Sequence, residues 1–319
     1  MSAPLFIKVK PEDNVAIAVQ DIPQRTPVLP DVKARGLIPQ AHKIALRAIP
    51  KNQPIIRYGV VLGYAKDDIA PGDCINEDMV ILPESPALDH MPYGTNLVSM
   101  DKLPDPPITT WMGYKNAQGP AGTRNLLGIM TTVQCVAGVA RVAAERIRKE
   151  LLPKYPNVDG VVAITHPYGC GVAINAAMAY IPIRSLQNIL RHPNFGGEIM
   201  VLGLGCEKLT YERLLPPEDI TPENCLTIQD CHGHDEMMNQ IMAMAERKLQ
   251  KLNTRRREPL PLSDLVVGMQ CGGSDAFSGL TANPSAGYAA DMLVRGGGTV
   301  MFSEVTEVRD GVHMLAARC

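Results

Sequence analysis

The chain has 319 residues, of which 45% are hydrophobic and 20% are charged, and its formal net charge is −2. A chain of this length folds into two or three domains, each with a sizeable core. So small a net charge gives no electrostatic reason to expect a nucleic acid or an anionic membrane as a partner.

Targeting signals and disulfides are not expected from this sequence. No apolar run approaches the length of a membrane span, and the opening residues MSAPLFIKVKPEDN lack the pattern of a signal peptide. The chain has eight cysteines, which without export indicate reduced thiols rather than a disulfide framework. We therefore expect a cytoplasmic protein that does not bind a membrane.

Residues 1–85 predict a small all-β domain. Short runs rich in β-branched residues, from FIKV through NVAIAV and HKIALRAI to IIRYGVVLGYA, are separated by turns. Residues 86–111 are proline-rich and lack periodicity, which predicts a linker. From residue 112 onward strands alternate with helices, so the predicted fold class is α/β with a mostly parallel sheet. We divide this region into a domain at 112–258 and a further α/β segment at 259–319.

Reactive residue types follow the predicted strands of the α/β region. Five apolar runs, at 126–133, 161–165, 199–205, 265–269 and 299–303, read as strands, and four of them are followed within five residues by a cysteine. In open α/β sheets, ligands bind outside the carboxyl ends of the strands. Any single cysteine is more often a packing residue, and His166 alone would suit a hydrogen-bonded core histidine. The repetition at successive strand ends favours a site.

Two basic segments have both a functional and a structural interpretation. The loop GYKNAQGPAGTRN (113–125) contains three glycines with Lys115 and Arg124, a composition that suits a substrate carboxylate. The alternative for this loop is a surface hairpin. The run RRRE (255–258) ends a predicted amphipathic helix, and we interpret it as a solvated helix terminus that the helix dipole favours.

Several longer motifs resemble one enzyme family. GYKNAQGPAGTRN, HPYGCGVAIN, HPNFGGEIMVLGLGCEKL, VVGMQCGGSDAFSGLTANP and MFSEVTEVRD are similar to the sugar-acid dehydratases of the galactarate/altronate dehydratase family. The segment HKIALRAIPKNQPIIRYGVVLGYA resembles the SAF-type β-clip domain of that family, and the resemblance covers nearly the whole chain.

The sequence departs from the family pattern in two places. Family members continue well beyond SEVTEV, whereas this chain stops at Cys319. We expect either a fragment or a shortened paralogue, and the activity of the isolated 319-residue chain stays open. Gln118 stands where the family commonly has an acidic residue. An acid there would be a base or a metal ligand, whereas Gln118 can only orient or donate.

The resemblance implies a hydro-lyase that acts on a sugar diacid. Galactarate is the first expected substrate and 5-dehydro-4-deoxy-glucarate its product. A base takes the proton beside the carboxylate and an acid assists the departing β-hydroxyl. A divalent metal, Fe(2+) by the resemblance, would stabilise the enediolate as a Lewis acid. A homodimer is the expected assembly.

The expected site residues combine the strand-end residues with the motifs of the family. The catalytic candidates are His42, His166 and Asp275; the substrate-binding candidates are Arg57, Lys115, Arg124, Ser274 and Asn283; and the metal-ligand candidates are His166, Glu304 and Glu307. An iron–sulfur cluster on Cys170, Cys206 and Cys271, as in an altronate- or aldonate-type dehydratase, is the alternative. A non-catalytic sugar-acid-binding protein is the third possibility.

Overall fold

The computed structural model describes residues 4–84, 87–170, 172–272, 277–304, 308 and 311–318. The chain divides into two compact units. The first unit comprises residues 1–105, 268–295 and 300–319, and the second unit comprises residues 106–267 and 296–299. None of the helices in the described ranges is both long enough and apolar enough to cross a membrane.

The regular elements are short in the first third of the chain and longer after it. The strands are β1 (Phe6–Ile7), β2 (Val15–Ala18), β3 (Pro27–Leu29), β4 (Val32–Lys33), β5 (Lys43–Ala45), β6 (Pro54–Arg57), β7 (Val60–Ala65), β8 (Cys74–Ile75), β9 (Val80–Ile81), β10 (Thr110–Gly113), β11 (Leu126–Thr131), β12 (Gly160–Ile164), β13 (Ile199–Gly203), β14 (Cys225–Thr227), β15 (Glu258–Pro261), β16 (Val266–Met269) and β17 (Thr299–Phe302). The α-helices are α1 (Ala137–Glu150), α2 (Tyr180–Leu190), α3 (His234–Leu252), α4 (Ala282–Arg295) and α5 (Val312–Ala316). Single turns of 3-10 helix lie at Glu77–Met79, Leu88–His90, Met100–Lys102, Gln134–Val136, Leu152–Lys154, Pro193–Phe195, Tyr211–Arg213, Pro217–Asp219, Ile228–Asp230 and Leu262–Asp264.

The N-terminal part of the first unit is all-β, as predicted. An antiparallel sheet has the order β1-β2-β5-β8, a second sheet has the order β6-β7-β9, and β3 pairs with β4. Every residue of β2 is buried. Because side chains alternate along a strand, Val15 joins one apolar cluster while Ala16 and Ala18 join the other. The strand β2 therefore connects the two cores of this small domain.

One hairpin of this domain depends on a buried carboxylate. The strands β6 and β7 are joined by the two-residue loop Tyr58-Gly59, and both residues have positive φ, at 60° and 73°, as in a type I′ turn. The Asp13 side chain is only 2% exposed. It accepts the N–H of Gly59 at 2.8 Å and the N–H of Lys10 at 2.9 Å. Asp13 therefore ties the turn at Gly59 to the separate segment that contains Lys10.

The core of the second unit is a four-stranded parallel sheet with the order β12-β11-β13-β14. Helices α1 and α3 pack on one face of this sheet, and α2 packs on the other. The runs predicted at 126–133, 161–165 and 199–205 form β11, β12 and β13. The prediction of an all-β domain followed by an α/β region with a parallel sheet is confirmed.

The connections of this sheet diverge at one point, and we call the region outside the carboxyl ends of the strands at that point the crevice. From β11 the chain passes through α1 to β12 on one side, whereas from β13 it continues to β14 on the opposite side. The connections that follow the neighbouring parallel strands β11 and β13 therefore lead to opposite sides of the sheet. The gap outside their carboxyl ends is the place where open α/β sheets bind ligands.

The last two predicted strands form a separate pair. The N–H of Thr299 donates to the carbonyl of Leu265 at 3.0 Å, and the N–H of Ser303 donates to the carbonyl of Met269 at 3.3 Å. From the first bond to the second, the residue number increases on both strands, so β16 and β17 run parallel. Of the five predicted strand ends, three therefore lie in the four-stranded sheet and two in this pair.

Replacing Asp13 with Asn tests the carboxylate that holds the hairpin turn. Burial by itself raises the pKa of Asp13, but the N–H donors of Gly59 and Lys10 outweigh it and hold the pKa below its usual value. An amide would turn a donor toward one of these N–H groups, so we expect Asp13→Asn to lower the free energy of unfolding by about 2 kcal/mol near pH 7.

The pH dependence gives the sign of this effect. A carboxylate with a lowered folded-state pKa stabilises the protein fully above its usual pKa of about 3.9, and this stabilisation is lost as the pH falls through the folded-state value. Urea unfolding should therefore show a smaller difference in the free energy of unfolding between wild type and Asp13→Asn near pH 3 than near pH 7. Asp67→Asn is the control, because Asp67 is 79% exposed and only pairs with Lys51. Equal losses at both pH values would contradict this role of the carboxylate.

Candidate functional site

The loops that follow β11, β12 and β13 are tied together at the carboxyl edge of the parallel sheet. The N–H of Gln134 donates to the carbonyl of Tyr168 at 3.0 Å, and the N–H of Lys208 donates to the carbonyl of Cys170 at 2.9 Å. These loops carry three exposed thiols, which belong to Cys135, Cys170 and Cys206. The sheet therefore gathers three of the predicted strand-end segments around the crevice.

His166 lies in this crevice with a fixed tautomer. Its side chain is 7% exposed, and its Nδ1 accepts the N–H of Tyr168 at 3.3 Å. The ring proton must then lie on Nε2, which donates to the carbonyl of Thr131 at 3.0 Å. Burial lowers the pKa of His166, and hydrogen bonding to the backbone opposes this only in part. The imidazole is therefore neutral at physiological pH.

Glu207 is a site residue that sequence reasoning missed. Its Oε1 accepts the N–H of Leu204 at 2.9 Å and the hydroxyl of Thr132, and its Oε2 accepts the N–H of Gly205 at 2.6 Å. Burial raises the pKa of Glu207, but these donors outweigh it and keep the pKa below its usual value. The available signal was its position directly after Cys206, at a strand end that was itself predicted.

The imidazole and the carboxylate contact consecutive residues at the end of β11. His166 binds the carbonyl of Thr131, and Glu207 binds the hydroxyl of Thr132. The hydroxyl of Thr131 is buried and has no hydrogen-bond partner in the described part of the chain. The crevice thus combines a neutral base, an ionised hydrogen-bond acceptor and an unused hydroxyl. Such a set can move a proton and bind a polyhydroxylated ligand.

Lys115 and Arg124 lie at the other end of the same sheet. Both side chains are exposed, and their loop comes directly before β11, whereas the His166 crevice comes after it. The six residues of β11 span about 20 Å, so the second unit does not bring Lys115 or Arg124 to His166. The backbone N–H groups of Thr123 and Arg124 are bound by the side-chain oxygen of Asn194, at 2.8 and 3.1 Å.

Arg255 of the basic run holds this loop, whereas Arg256, Arg257 and Glu258 are exposed, as expected for a solvated helix terminus. The guanidinium of Arg255 donates to the side-chain oxygens of Asn125 at 2.9 Å and Asn116 at 2.6 Å. It also lies 5.3 Å from the centroid of the Tyr114 ring. Burial lowers the pKa of Arg255. Arg255, directly after α3, therefore reaches the loop, while the rest of the basic run stays exposed.

A cavity of about 560 Å³ adjoins the loop at the amino edge of the sheet. The loop contributes residues 116–120, including Gln118, and the end of α2 and residues 214–219 form the other walls. The charged side chains in its lining, Arg191 and Asp219, are exposed. This cavity therefore offers a mixed surface, without a buried imidazole such as His166 or a half-buried carboxylate such as Glu207.

Three predicted residues of the first unit come together in another cavity. Cys271, Asn283 and Glu304 line a space of about 520 Å³. The Oε2 atom of Glu304 accepts the N–H of Cys271 at 2.6 Å, which directs the carboxylate to the end of β16. Arg318 and Asp291 also line this cavity, 3.8 Å apart. The predicted residues Ser274, Asp275 and Glu307 lie outside the described residues.

His42 and Arg57, the two candidates from the N-terminal domain, also belong to the first unit. His42 is exposed, and its Nδ1 lies 3.2 Å from the carbonyl oxygen of Gln40. Arg57 is half-buried at the end of β6, and its guanidinium lies 4.7 Å from the centroid of the Tyr58 ring. His166 belongs to the second unit.

The expected metal ligands are divided between the two units, and Glu307 lies outside the described residues. Within the described ranges, no group of three or more His, Cys, Asp or Glu side chains is placed to hold a metal ion. Both ring nitrogens of His166 bind backbone atoms. Of the cysteines proposed for a cluster, Cys170 and Cys206 belong to the second unit and Cys271 belongs to the first.

Comparison with known proteins identifies related sequences along nearly the whole chain. The model of the D-galactarate dehydratase/altronate hydrolase second domain matches residues 113–253. The D-galactarate/altronate dehydratase C-terminal model matches residues 262–319, and the altronate/galactarate dehydratase SAF domain model matches residues 4–83. The three matches follow one another without overlap.

Individual relatives agree with these matches. Galactarate dehydratase (L-threo-forming) of Escherichia coli strain K12 is 54% identical over 98% of this chain and 61% of its own length. Altronate dehydratase of Bacillus subtilis strain 168 is 33% identical over 98% of this chain and 62% of its own length. The beta subunit of (2R)-sulfolactate sulfo-lyase of Chromohalobacter salexigens is 30% identical over 66% of this chain. The chain thus spans about three fifths of the length of the two dehydratases.

Replacing Arg255 with Lys tests the structural role of the loop at 113–125. A lysine ammonium cannot reproduce the planar fork that bridges Asn116 and Asn125, and the Asn125 side chain is 0% exposed. We expect the free energy of unfolding to fall by about 2–3 kcal/mol, measured by urea denaturation. Arg256→Lys is the control, because Arg256 is exposed and donates only to nearby carbonyls. Similar losses in the two variants would contradict the anchoring role.

Proposed function

The chain belongs to the galactarate/altronate dehydratase family, and from this membership we propose that the protein removes water from a sugar acid. Galactarate is the first substrate we propose, because the galactarate dehydratase is the more similar of the two kinds of dehydratase among its relatives. The proposed product is 5-dehydro-4-deoxy-glucarate. A cytoplasmic location and a homodimer stay predictions.

One observation supports this proposal most directly. A neutral imidazole with a fixed tautomer and an ionised carboxylate are hydrogen-bonded to the consecutive residues Thr131 and Thr132, at the sheet edge where parallel strands favour ligand binding. Dehydration of a hydroxy acid needs a base for a carbon-bound proton and acceptors that orient hydroxyl groups. His166 and Glu207 have these properties.

The reaction removes a proton and a hydroxyl group from neighbouring carbons. We propose that the lone pair of His166 Nδ1 takes the proton from the carbon beside the carboxylate, after the long contact with the Tyr168 N–H is displaced. The electron pair forms the carbon–carbon double bond as the β-hydroxyl departs as water with a proton from solvent, and His166 then returns the proton on Nδ1 to solvent. The resulting enol becomes a 2-keto acid. The bond from Nε2 to the carbonyl of Thr131 holds the ring in the tautomer that this step needs.

Glu207 is proposed to orient the substrate. Its Oε1 already accepts two hydrogen bonds, whereas its Oε2 accepts one from Gly205 in the described structure. A carboxylate oxygen accepts two, so Oε2 can take a substrate hydroxyl. The buried hydroxyl of Thr131 is a second polar group at the same strand end. Glu207 is ionised and therefore serves as an acceptor rather than as the acid for the leaving group.

A divalent metal, Fe(2+) in the first instance, is proposed from the family resemblance. The described residues provide no set of three donors for it, so no step of the mechanism is assigned to a metal. Among the predicted metal ligands that the structure describes, Glu304 has a carboxylate that lines a cavity.

Turnover of sugar acids tests the proposed function. We expect the protein, incubated anaerobically with Fe(2+) and galactarate, to form a 2-keto acid faster than with glucarate or altronate. Chelation should lower the rate and added Fe(2+) should restore it. Binding of a sugar acid without any product would contradict the dehydratase proposal and favour a binding protein. A visible absorption band that is lost in air would instead favour an iron–sulfur cluster on the cysteines.

Replacing His166 with Gln tests the proposed base. A positioned general base contributes a factor of about 10² to 10⁴, so kcat should fall at least about 100-fold while the fold is retained. His192→Gln is the matched control, because His192 Nδ1 also accepts the N–H of the residue two positions later, at 3.1 Å. His192 is exposed beside the cavity at the amino edge. Equal activity of the two variants would rule out His166 as the base.

A further inference from the structure

The turn between β6 and β7 contains a residue that this turn does not favour. Two-residue hairpin loops with positive φ at both positions strongly prefer Asn, Asp and Gly. Here the first position is Tyr58, with φ of 60°. Bulky residues in this region are strained, and such strain persists where the surroundings impose it. Asp13 supplies this support through Gly59, and Asn14 binds the N–H of Ile56 at 2.7 Å.

The same turn holds two buried polar atoms without partners. The Nε of Arg57 and the hydroxyl of Tyr58 are both buried, and neither has a hydrogen-bond partner in the part of the chain that the structure describes. Such atoms are rare in folded proteins, because an unsatisfied buried donor destabilises the fold. The Arg57 guanidinium lies 4.7 Å from the centroid of the Tyr58 ring, so the two donors belong to one cluster.

The electrostatics of this cluster favour an anion. Burial lowers the pKa of the Lys43 ammonium, and the positive charge of Arg57 lowers it further, while Glu77 opposes both. Burial raises the pKa of Tyr58, so its hydroxyl remains a donor at neutral pH. The nearby carboxylate of Asp13 already accepts two backbone N–H groups. The cluster therefore combines two buried donors with the positive charge of Arg57.

The cluster lies against the segment that follows the Gly-Gly-Ser-Asp motif in sequence. A Cβ atom added to Gly279 would lie 3.7 Å from the Tyr58 ring and 3.8 Å from its hydroxyl. The segment is joined to the start of α4 by the bond from the Asn283 N–H to the carbonyl of Ser278, at 2.8 Å. Asn283 in turn lines the cavity that contains Glu304. The hairpin turn is thus adjacent to a segment that carries predicted substrate-binding residues.

We propose that Arg57 and Tyr58 form a carboxylate-binding subsite, in which the Nε–H of Arg57 and the hydroxyl of Tyr58 donate to a ligand carboxylate. A carboxylate fits because its two oxygens can accept a guanidinium N–H and a hydroxyl together. Gly279 has no side chain, which leaves space beside the hydroxyl where a Cβ atom would lie 3.8 Å from it. The identity of the natural ligand, a sugar acid, rests on the proposed function.

The test uses Tyr58→Phe and Arg57→Gln, with Tyr64→Phe as the matched control. Tyr64 lies in β7 of the same hairpin and is 39% exposed. Thermal unfolding is measured in a titration with galactarate and, separately, with malonate as a simple carboxylate. We expect wild type and Tyr64→Phe to be stabilised alike. Tyr58→Phe and Arg57→Gln should each need at least about tenfold more ligand to reach the same rise in melting temperature, because each loses a hydrogen bond to a charged group.

The ligand-free melting temperature separates this role from a structural one. Because the Tyr58 hydroxyl has no partner to lose, Tyr58→Phe should melt no lower than wild type without ligand. A lower melting temperature together with an unchanged ligand titration would overturn the proposal. So would the lack of any stabilisation of wild type by either carboxylate.

A parallel assay of 2-keto acid formation distinguishes this proposal from the dehydratase proposal. Binding that is weakened in Tyr58→Phe, without turnover by wild type, would support the subsite and contradict the dehydratase function. If wild type turns over substrate, and Tyr58→Phe has the same KM and the same ligand titration as wild type, the result would support the dehydratase function and overturn the subsite.

Discussion

The parallel pairing of β11 with β12 on one side and β13 on the other decides where the polar groups of the second unit can meet. Parallel strands all end at the same edge, and crossover helices return the chain to the opposite edge. The loops after these three strands are therefore neighbours, and backbone hydrogen bonds between them fix His166 beside the end of β11. Because the connections diverge at β11 and β13, the loops leave a crevice there, which Glu207 lines with an ionised carboxylate.

The same constraint explains why a basic, glycine-rich loop lies away from this crevice. A segment that leads into a parallel strand must lie at the amino edge, about one strand length from the groups that follow the strand. At that edge the loop at 113–125 is anchored by Arg255 and Asn194. Its asparagines are used to close the unit: Asn125 is fully buried and binds the carbonyls of Asn157 and Leu252. Motif composition alone does not distinguish such a structural loop from a ligand-binding one.

The sequence predicted the elements better than their arrangement. Long apolar runs identified β11, β12 and β13 within two residues at each end, because a strand buried on both faces is a continuous apolar segment. The strand β14, Cys225–Thr227, was too short for any such pattern. The separation of β16 and β17 from the main sheet depends on pairing between distant segments, which a linear pattern does not contain. The position of Lys115 and Arg124 at the amino edge, in contrast, follows from chain order and was available in advance.

Polar groups that maintain the fold have hydrogen-bond partners within the protein, whereas buried polar groups without a partner are candidates for binding a ligand. The donors around Asn125 and Asp13 all have partners, and each unmade bond there would cost roughly 1–3 kcal/mol. The Arg57 Nε and the Tyr58 hydroxyl carry that cost in the ligand-free protein. Tyr58 also occupies a left-handed conformation that Asp13 imposes from the neighbouring strand connection. A fold that holds two unsatisfied donors in a strained turn has fixed their positions in advance, and a ligand that binds them then loses less entropy on association. Free energy that destabilises the empty turn thereby becomes affinity for a carboxylate.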